Sequence, residues 1–358
     1  MSMRIKQKLL RLLPAYRMGN TIRQENEIAQ QELSTRLNQL DYKMEYLFWL
    51  SQQRDGESML ETKQRVFLSM PKAEGTSRLI QQMNHKILKR MKQVCDENGI
   101  PFYLVFGTQM GAVRNRGFIP WDDDVDVAMM RADAERLISL LQNDPEILAD
   151  HCYSVMFEKF IKVKFRDSEK FFVDVFFMDE FQADESNVEE RYREILKAHG
   201  EYVGEMKRYF AETSARISDY TIPKPDAALD ARMEAKYTEL ASGLGYYGTG
   251  NYISFSIDDS CLKTNTWYVY PKDELLKPVP VMFDGVEYNT FSNYDRFLRN
   301  IYGDYWKLPR NLLGGHSEFS ELTSEDFRAM NAHGILTPEE AKQWIANSSK
   351  MQSFHFDF

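Results

Sequence analysis

Apolar residues recur along this chain at several spacings, and each spacing predicts a different element. Between Ile22 and Gln53 the sequence is polar, free of Gly and Pro, and carries Leu33, Leu37, Leu40, Met44 and Leu47 at alternating steps of four and three. That is the seam of a coiled coil. Going backward the seam meets Asn26 and Gln30, and its far end carries the aromatic cluster Tyr46, Phe48 and Trp49. The pattern predicts a long helix that joins a second copy or packs along its own body.

Ahead of it, residues 1–20 hold Ile5, Leu9, Leu12 and Leu13 at helical spacing, with Pro14 ending the pattern. Arg4, Lys6, Lys8, Arg11, Arg17 and Arg23 precede the first acid, Glu25. A short basic amphipathic helix lies on an anionic membrane surface or docks on the protein's body. Residues 56–76 contain Gly56, Pro71 and Gly75 without sustained periodicity and read as a linker.

A catalytic domain is expected over 77–358. Thr76 would cap a helix with the apolar face Leu79, Ile80, Met83, Ile87, Met91 and Val94, closed by a left-handed Gly99. A strand follows at Phe102–Phe106, then a tight Gly107-Thr108 entry into a short helix, a Gly117–Pro120 turn, and a second strand. Asp133 would cap a helix to about Leu141, and further strands are expected near Tyr153–Phe165 and Phe171–Met178. Helices at Asn187–Phe210 and Ala227–Ala241, separated by Pro223 and Pro225, make a helical insertion over about 187–245. An Asp284-Gly285 turn between strands and a last helix opened by Thr337, Pro338 and Glu340 complete the chain.

Composition narrows the class. The chain has 358 residues, 43% hydrophobic and 28% charged, which describes an ordinary globular protein. A net charge of −9 argues against nucleic acid as a partner. Cys95, Cys152 and Cys261 are too widely spaced for a disulfide framework or a metal pair, which points to the cytoplasm. No apolar run reaches bilayer length.

The chemistry gathers in FYLVFGTQMGAVRNRGFIPWDDDVDVAMM, Phe102 to Met130. In an extended strand Asp122, Asp124 and Asp126 share one face while Val125 and Val127 enter the core. Like charges so crowded need a cation or protons. A calcium loop would require Gly where Val127 stands and Glu where Asp133 stands; a solvated acidic turn fits poorly with the apolar alternation. FFVDVFFMD then places the lone acid Asp174 in an apolar strand, where an unpartnered carboxylate is unfavourable. Lys162 and Lys164, on one face of the preceding strand, read equally well as surface lysines or as phosphate contacts.

The order Phe106, Gly107, Thr108, then Asp124-Val-Asp126-Val resembles the signature of the polymerase-β-like nucleotidyltransferase fold. The longer GTQMGAVRNRGFIPWDDDVDV is similar to the core of the LicD and fukutin-related phosphotransferase family, and YGDYWKLP (Tyr302–Pro309) with His316 resembles its closing motif. The resemblance implies an α+β protein, a nucleotidyltransferase-like mixed sheet flanked by helices, here with the helical insertion and the N-terminal coiled-coil-like helix of 21–55. It further implies transfer of a phosphorylated alcohol, phosphocholine or phosphoribitol, from a CDP-linked donor to a sugar hydroxyl of a cell-surface glycan. Asp124, Asp126 and Asp174 would hold Mg²⁺ or Mn²⁺. Gly107, Thr108, Arg114 and Arg116 would meet the donor phosphates. Asn115 stands where the family usually has His, and Gln109 and Trp306 are also departures. A nucleotidylyltransferase using the same metal site and a non-catalytic coiled-coil assembly protein are the alternatives. The acceptor is expected to be a glycan, free or lipid-linked, met at the inner face of a membrane; self-association is expected through 22–53.

Overall fold

The computed structural model describes residues 14–154, 159–213, 221–222, 227–246, 250–259, 266–308 and 322–351. Residues 1–13 of the basic segment, Cys261 and His316 lie outside them. The chain divides into two compact units, one of Met1–Val66 with Trp306–Leu308 and one of Phe67–Tyr305 with Pro309–Phe358.

The first unit is dominated by helix α1, Pro14–Gln52, of 39 residues. Pro14 stands at the first helical position, where its missing N–H and fixed φ suit a helix start. The expected break there is therefore an opening, and residues 14–20 belong to the long helix. Leu33, Leu37, Leu40, Met44 and Leu47 are each more than half exposed, so the seam is uncovered. Trp49 is deeply buried; its indole donates to Glu45, and the Lys63 ammonium stands over its ring.

The stretch expected to be a linker contains helix α2, Met59–Leu68. Its start is a reciprocal cap: Ser58 N–H donates to Glu61 Oε2 (2.8 Å) while Glu61 N–H donates to Ser58 Oγ. Arg65 then closes on Glu57 at 2.7 Å. Ser58-x-x-Glu61 was the readable signal that outweighs the nearby Gly and Pro.

The second unit is a mixed sheet between two apolar cores. Its elements are α3 (Gly75–Asn98), β1 (Tyr103–Leu104), α4 (Phe106–Asn115), β2 (Asp126–Met130), α5 (Arg131–Leu141), β3 (Ile147–Ser154), β4 (Lys159–Phe165), β5 (Phe172–Phe181), α6 (Val188–Thr213), β6 (Thr221–Ile222), α7 (Ala227–Leu244), β7 (Tyr252–Phe255) and β8 (Val269–Pro271). A one-turn α8 (Lys272–Leu275), strands β9 (Pro278–Phe283) and β10 (Val286–Phe291), and α9 (Tyr294–Tyr302), α10 (Ser324–Ala332) and α11 (Pro338–Met351) follow. The large sheet runs β1-β2-β5-β4-β3-β6, with β7 and then β8 joined to the far half of β5. Among the described residues only β2 and β5 pair in parallel; the other pairs are antiparallel. The α+β class is as expected.

Strand alternation sorts the two cores. Val127 and Met129 of β2, with Val173, Val175 and Phe177 of β5, face α3, α5 and the β9–β10 hairpin. Ala128 and Met178, on the other face, join the core formed with Tyr202, Met206, Met233 and Tyr237 of the insertion helices α6 and α7. Met83, Ile87 and Met91 of α3 are fully buried, each worth about 1.5–3 kcal/mol of transfer free energy.

Several boundaries differ from the sequence reading. The single strand expected at Tyr153–Phe165 is the two antiparallel strands β3 and β4, paired from Ile147↔Phe165 to Tyr153↔Lys159. Apolar content alone does not show a reversal inside such a run. The Phe102–Phe106 strand shrinks to two paired residues, because the chain turns helical at Phe106. Thr76 and Asp133 cap nothing: α3 follows Glu74 and α5 follows Met130, both without a side-chain cap, and each expected residue lies in its helix's first turn. Gly99 does close α3 in the left-handed region, at φ 62°. The Asp284-Gly285 turn joins β9 and β10, and Thr337 with Glu340 forms the reciprocal cap of α11.

Candidate functional site

The parallel register of β2 and β5 sets Asp126 opposite Asp174, the first pair of that ladder. The antiparallel register of β5 and β4 sets Lys162 opposite Asp174, and that of β4 and β3 sets Asp150 opposite Lys162. Four charged residues thus form one row across four strands: Asp126, Asp174, Lys162, Asp150. The row lies on the sheet face of Ala128 and Met178. The Lys162 ammonium donates to Asp174 Oδ1 at 2.9 Å and stands 3.2 Å from the centre of the Phe172 ring and 5.2 Å from that of Phe160. Burial pushes the Asp126 carboxyl well above the usual carboxylate range, and Asp124, Asp174 and Asp122 push it further; Lys162 pulls the other way.

Asp122 and Asp124 lie in the irregular run before β2, so the three acids of the DDDVD motif do not share a strand face as expected. That run is held from below. On α3, Gln81 Nε2 donates to the carbonyls of Asp122 (2.7 Å) and Ile119 (3.3 Å). Asn84 Nδ2 donates to the Asp123 carbonyl at 2.7 Å, and Asn84 Oδ1 accepts from the N–H of Phe172 at the start of β5. One side chain therefore ties both acid-bearing segments to the same helix. Gln81 and Asn84 escaped the sequence reading; two amides on an otherwise apolar helix face were the available signal.

The residues expected to meet donor phosphates have structural duties here. A methyl group at Gly107 would lie 2.5 Å from Asp122 Oδ2, so the glycine makes room for an acid of the site itself. Thr108 is buried, and its Oγ1 accepts from the Asp126 N–H at 2.8 Å. Arg114 is buried, donates from Nη1 to the Tyr305 carbonyl (2.6 Å), and lies over the Phe67 ring; burial lowers its pKa to about 10. Its Nε is buried without a hydrogen-bond partner among the described residues, and Asp122 acts on its charge. Arg116 is exposed, in the left-handed region at φ 54° as the C-cap of α4. Asn115 donates to the Phe67 carbonyl at 2.9 Å.

The turn after α4 is clamped by the second sheet. Asp284 N–H donates to the Arg116 carbonyl (2.9 Å), and the Asp284 carboxylate is held by Lys72 (2.5 Å) and Arg78 (2.7 Å). Those two cations overcome burial and keep the carboxyl below its ordinary range. Gly111 is also required, since a methyl there would lie 2.5 Å from the Gly117 carbonyl oxygen. Phe106, a non-glycine residue at φ 50°, adopts a backbone conformation costing about 1–3 kcal/mol. Its ring packs against Phe176 and Phe255, both at 5.2 Å between centres.

Asp124, Asp126 and Asp174 fit a hard divalent cation in kind: oxygen donors of one sign, two of them paired by sheet register and the third two residues ahead of β2. As they stand, no three Asp, Glu, His or Cys side chains among the described residues converge as ligands of one ion. Lys162 occupies one side of Asp174 instead.

The mixed sheet thus presents Asp126 and Asp174 on adjacent parallel strands, with Thr108 at the start of α4 holding the Asp126 N–H. Residues 99–215 match the nucleotidyltransferase domain of the LicD/FKTN/FKRP family. The chain is 23% identical over 243 residues to the lipopolysaccharide cholinephosphotransferase LicD of Haemophilus influenzae, a match spanning 62% of this chain and 88% of that protein. It is also 31% identical over 75 residues to an uncharacterized protein of Rickettsia prowazekii, covering 21% of this chain and 27% of the other. A match to an uncharacterized protein of Rickettsia typhi is 37% identical over 49 residues, or 14% and 16% of the two chains. No helix among the described residues is long and apolar enough to cross a membrane.

Proposed function

We propose that the protein transfers a phosphorylated alcohol, of the phosphocholine or phosphoribitol type, from a CDP-linked donor to a sugar hydroxyl of a cell-surface glycan. The observation that carries this reading is the Asp126–Asp174 register pair inside the residues that match the LicD/FKTN/FKRP family, with Asp124 and Asp122 close enough to raise the Asp126 pKa. Asp124, Asp126 and Asp174 would hold Mg²⁺ or Mn²⁺, which when bound neutralises the donor diphosphate and lowers the cost of bringing anion to anion.

The chain's own residues prepare that site. Thr108 fixes the Asp126 backbone, Gln81 and Asn84 fix the run carrying Asp122 to Asp124, and Gly107 leaves space for Asp122. Arg116, exposed, and Arg114, buried against Phe67 and the Tyr305 carbonyl, would both meet the donor phosphates. The acceptor oxygen attacks the alcohol-bearing phosphorus, the bond from that phosphorus to the bridging diphosphate oxygen breaks, and CMP leaves while the acceptor's proton passes to a carboxylate or to water.

The test is mass spectrometry of the products formed from a panel of CDP-alcohols and candidate sugars. The reading requires an acceptor heavier by the phospho-alcohol, with CMP released in equal amount. An acceptor carrying CMP instead would establish the nucleotidylyl-transfer alternative, which uses the same acids. The reading extends to a lipid-linked acceptor at the cytoplasmic face of a membrane, approached through the basic segment of residues 1–20. Loss of binding to anionic vesicles on removing residues 1–20 would support that extension.

A further inference from the structure

Lys162 is more than a surface lysine. It is the cross-strand partner of Asp174, its ammonium is 2.9 Å from Asp174 Oδ1, and both side chains are only 15% exposed. Phe172 and Phe160 stand beside the ammonium, so part of its water is replaced by ring faces that favour a cation. The same carboxylate neighbours Asp126, where burial and three acids already oppose negative charge. A fixed cation is thus built onto a carboxylate of the acid row.

We infer that Lys162 is an internal counter-cation, which holds Asp174 in the metal-free protein and is displaced from it when a divalent ion binds. The inference rests on the metal-site reading above. Two cations cannot share one carboxylate edge without repulsion, so an ion drawn to Asp126 and Asp174 must compete with the ammonium already there. The lysine keeps the empty site folded and sets how much free metal is needed to fill it. This accounts for a set of acids that suits a metal in kind but does not converge as one ion's ligands.

The experiment uses the full chain. Mn²⁺ affinity is measured by electron paramagnetic resonance for wild type, Lys162→Gln, Lys162→Arg and Asp174→Asn, alongside melting in EDTA. Lys162→Gln should bind Mn²⁺ about tenfold more tightly and melt lower in EDTA, while Lys162→Arg, keeping the charge, stays within about twofold of wild type. In wild type, site-resolved acylation of the Lys162 amine, read by peptide mass spectrometry, should rise at least about threefold in saturating Mg²⁺ as the ammonium leaves Asp174. This labelling needs no variant to fold. Unchanged or weaker Mn²⁺ binding by a folded Lys162→Gln, or labelling that does not rise although Mg²⁺ binds, overturns the inference and leaves the metal site standing. Absence of Mn²⁺ binding in wild type overturns both. Binding retained at wild-type strength by Asp174→Asn moves the ion off Asp174 and overturns the inference by another route.

Discussion

Asp126 and Asp174 face each other across the parallel pair of β2 and β5, with the backbone N–H of Asp174 donating to the carbonyl of Val125 at 2.8 Å. The hydrogen-bonded ladder, not a loop, fixes how close the two carboxylates stand. The ladder keeps the two side chains neighbours, and the repulsion between them contributes to the raised pKa of Asp126.

Removing charge at the two positions should have opposite effects on the metal-free protein. Asp126 has a raised pKa, so the folded state holds its proton more firmly than the unfolded chain, and stability is lost as pH rises upward from the ordinary carboxylate value. Asp126→Asn abolishes that loss and should raise the melting temperature in EDTA at pH 7. Asp174→Asn takes the partner from Lys162 and should lower it. Both, and Asp124→Asn, should cut turnover about a hundredfold or more, roughly 3 kcal/mol of barrier. Near-normal turnover in Asp124→Asn and Asp126→Asn would remove the main support for the transferase reading.

Gly107→Ala tests the packing of the motif. The new methyl group meets Asp122 Oδ2 at 2.5 Å, and a side-chain end can swing away. The expectation is a fold within about 1 kcal/mol of wild type by urea denaturation but turnover reduced about tenfold. Gly111→Ala is the contrast, since its methyl meets the backbone oxygen of Gly117 and should cost about 1–3 kcal/mol of stability. Equal stability losses in the two variants would contradict this reading.

Asn84→Leu should destabilise by about 2–4 kcal/mol, because it strands the Asp123 carbonyl and the Phe172 N–H together. Chemical denaturation measures this directly. A loss below about 0.5 kcal/mol would mean that neither bond matters, against the ordinary cost of buried unpaired groups.

The sheet core and the acid pair were legible in the sequence, and their setting was not. Alternation in DVDVAMM and the lone acid in FFVDVFFMD are local signals, and burial on the apolar side leaves little choice of face. Gly99 and Asp284-Gly285 were readable for the same reason, since left-handed backbone restricts residue type. Lys162 against Asp174 depends on register between separate strands, and Gln81 and Asn84 reach carbonyls some forty positions along the chain. No local spacing encodes such distances. Guanidinium chemistry serves phosphate sites and buried carbonyl contacts alike, so the sequence alone does not show that Arg114 lies against the Tyr305 carbonyl.

His85 gives a pH signature unrelated to the acids. It is buried beside Phe118 and Phe283, with Nε2 within 3.1 Å of the Tyr288 hydroxyl. Burial, aided by Lys89, lowers its pKa to about 4 from 6.5. Above pH 6.5 both folded and unfolded chains carry neutral imidazole; as pH falls toward 4, protons bind the unfolded chain first and stability drops, by about 3 kcal/mol in all. His85→Gln should flatten the stability slope between pH 6.5 and 4 by about one proton. An unchanged slope would exclude His85 as its source.

Leu37→Asp with Leu40→Asp tests the exposed seam of α1. If the seam joins a second copy, the double variant should fall from dimer or higher mass to 42.1 kDa by light scattering, with the melting of the second unit unchanged. An unaltered mass would show that the seam does not mediate association.

The row across the sheet also makes the site sensitive to chain length. Strand side chains alternate with a period of two, so one residue inserted or deleted inside β2 or β5 inverts every position beyond it. Deleting Val175 would leave Asp174 in place but turn Phe176 and Met178 toward the α3 core, whereas deleting Val173 would carry Asp174 itself into that core and put a valine beside Lys162. Length changes are tolerable on the solvent side of the β4–β5 turn and intolerable within these few strand positions, so a single-codon deletion scan would map the reading frame of the charge row without altering any residue's chemistry.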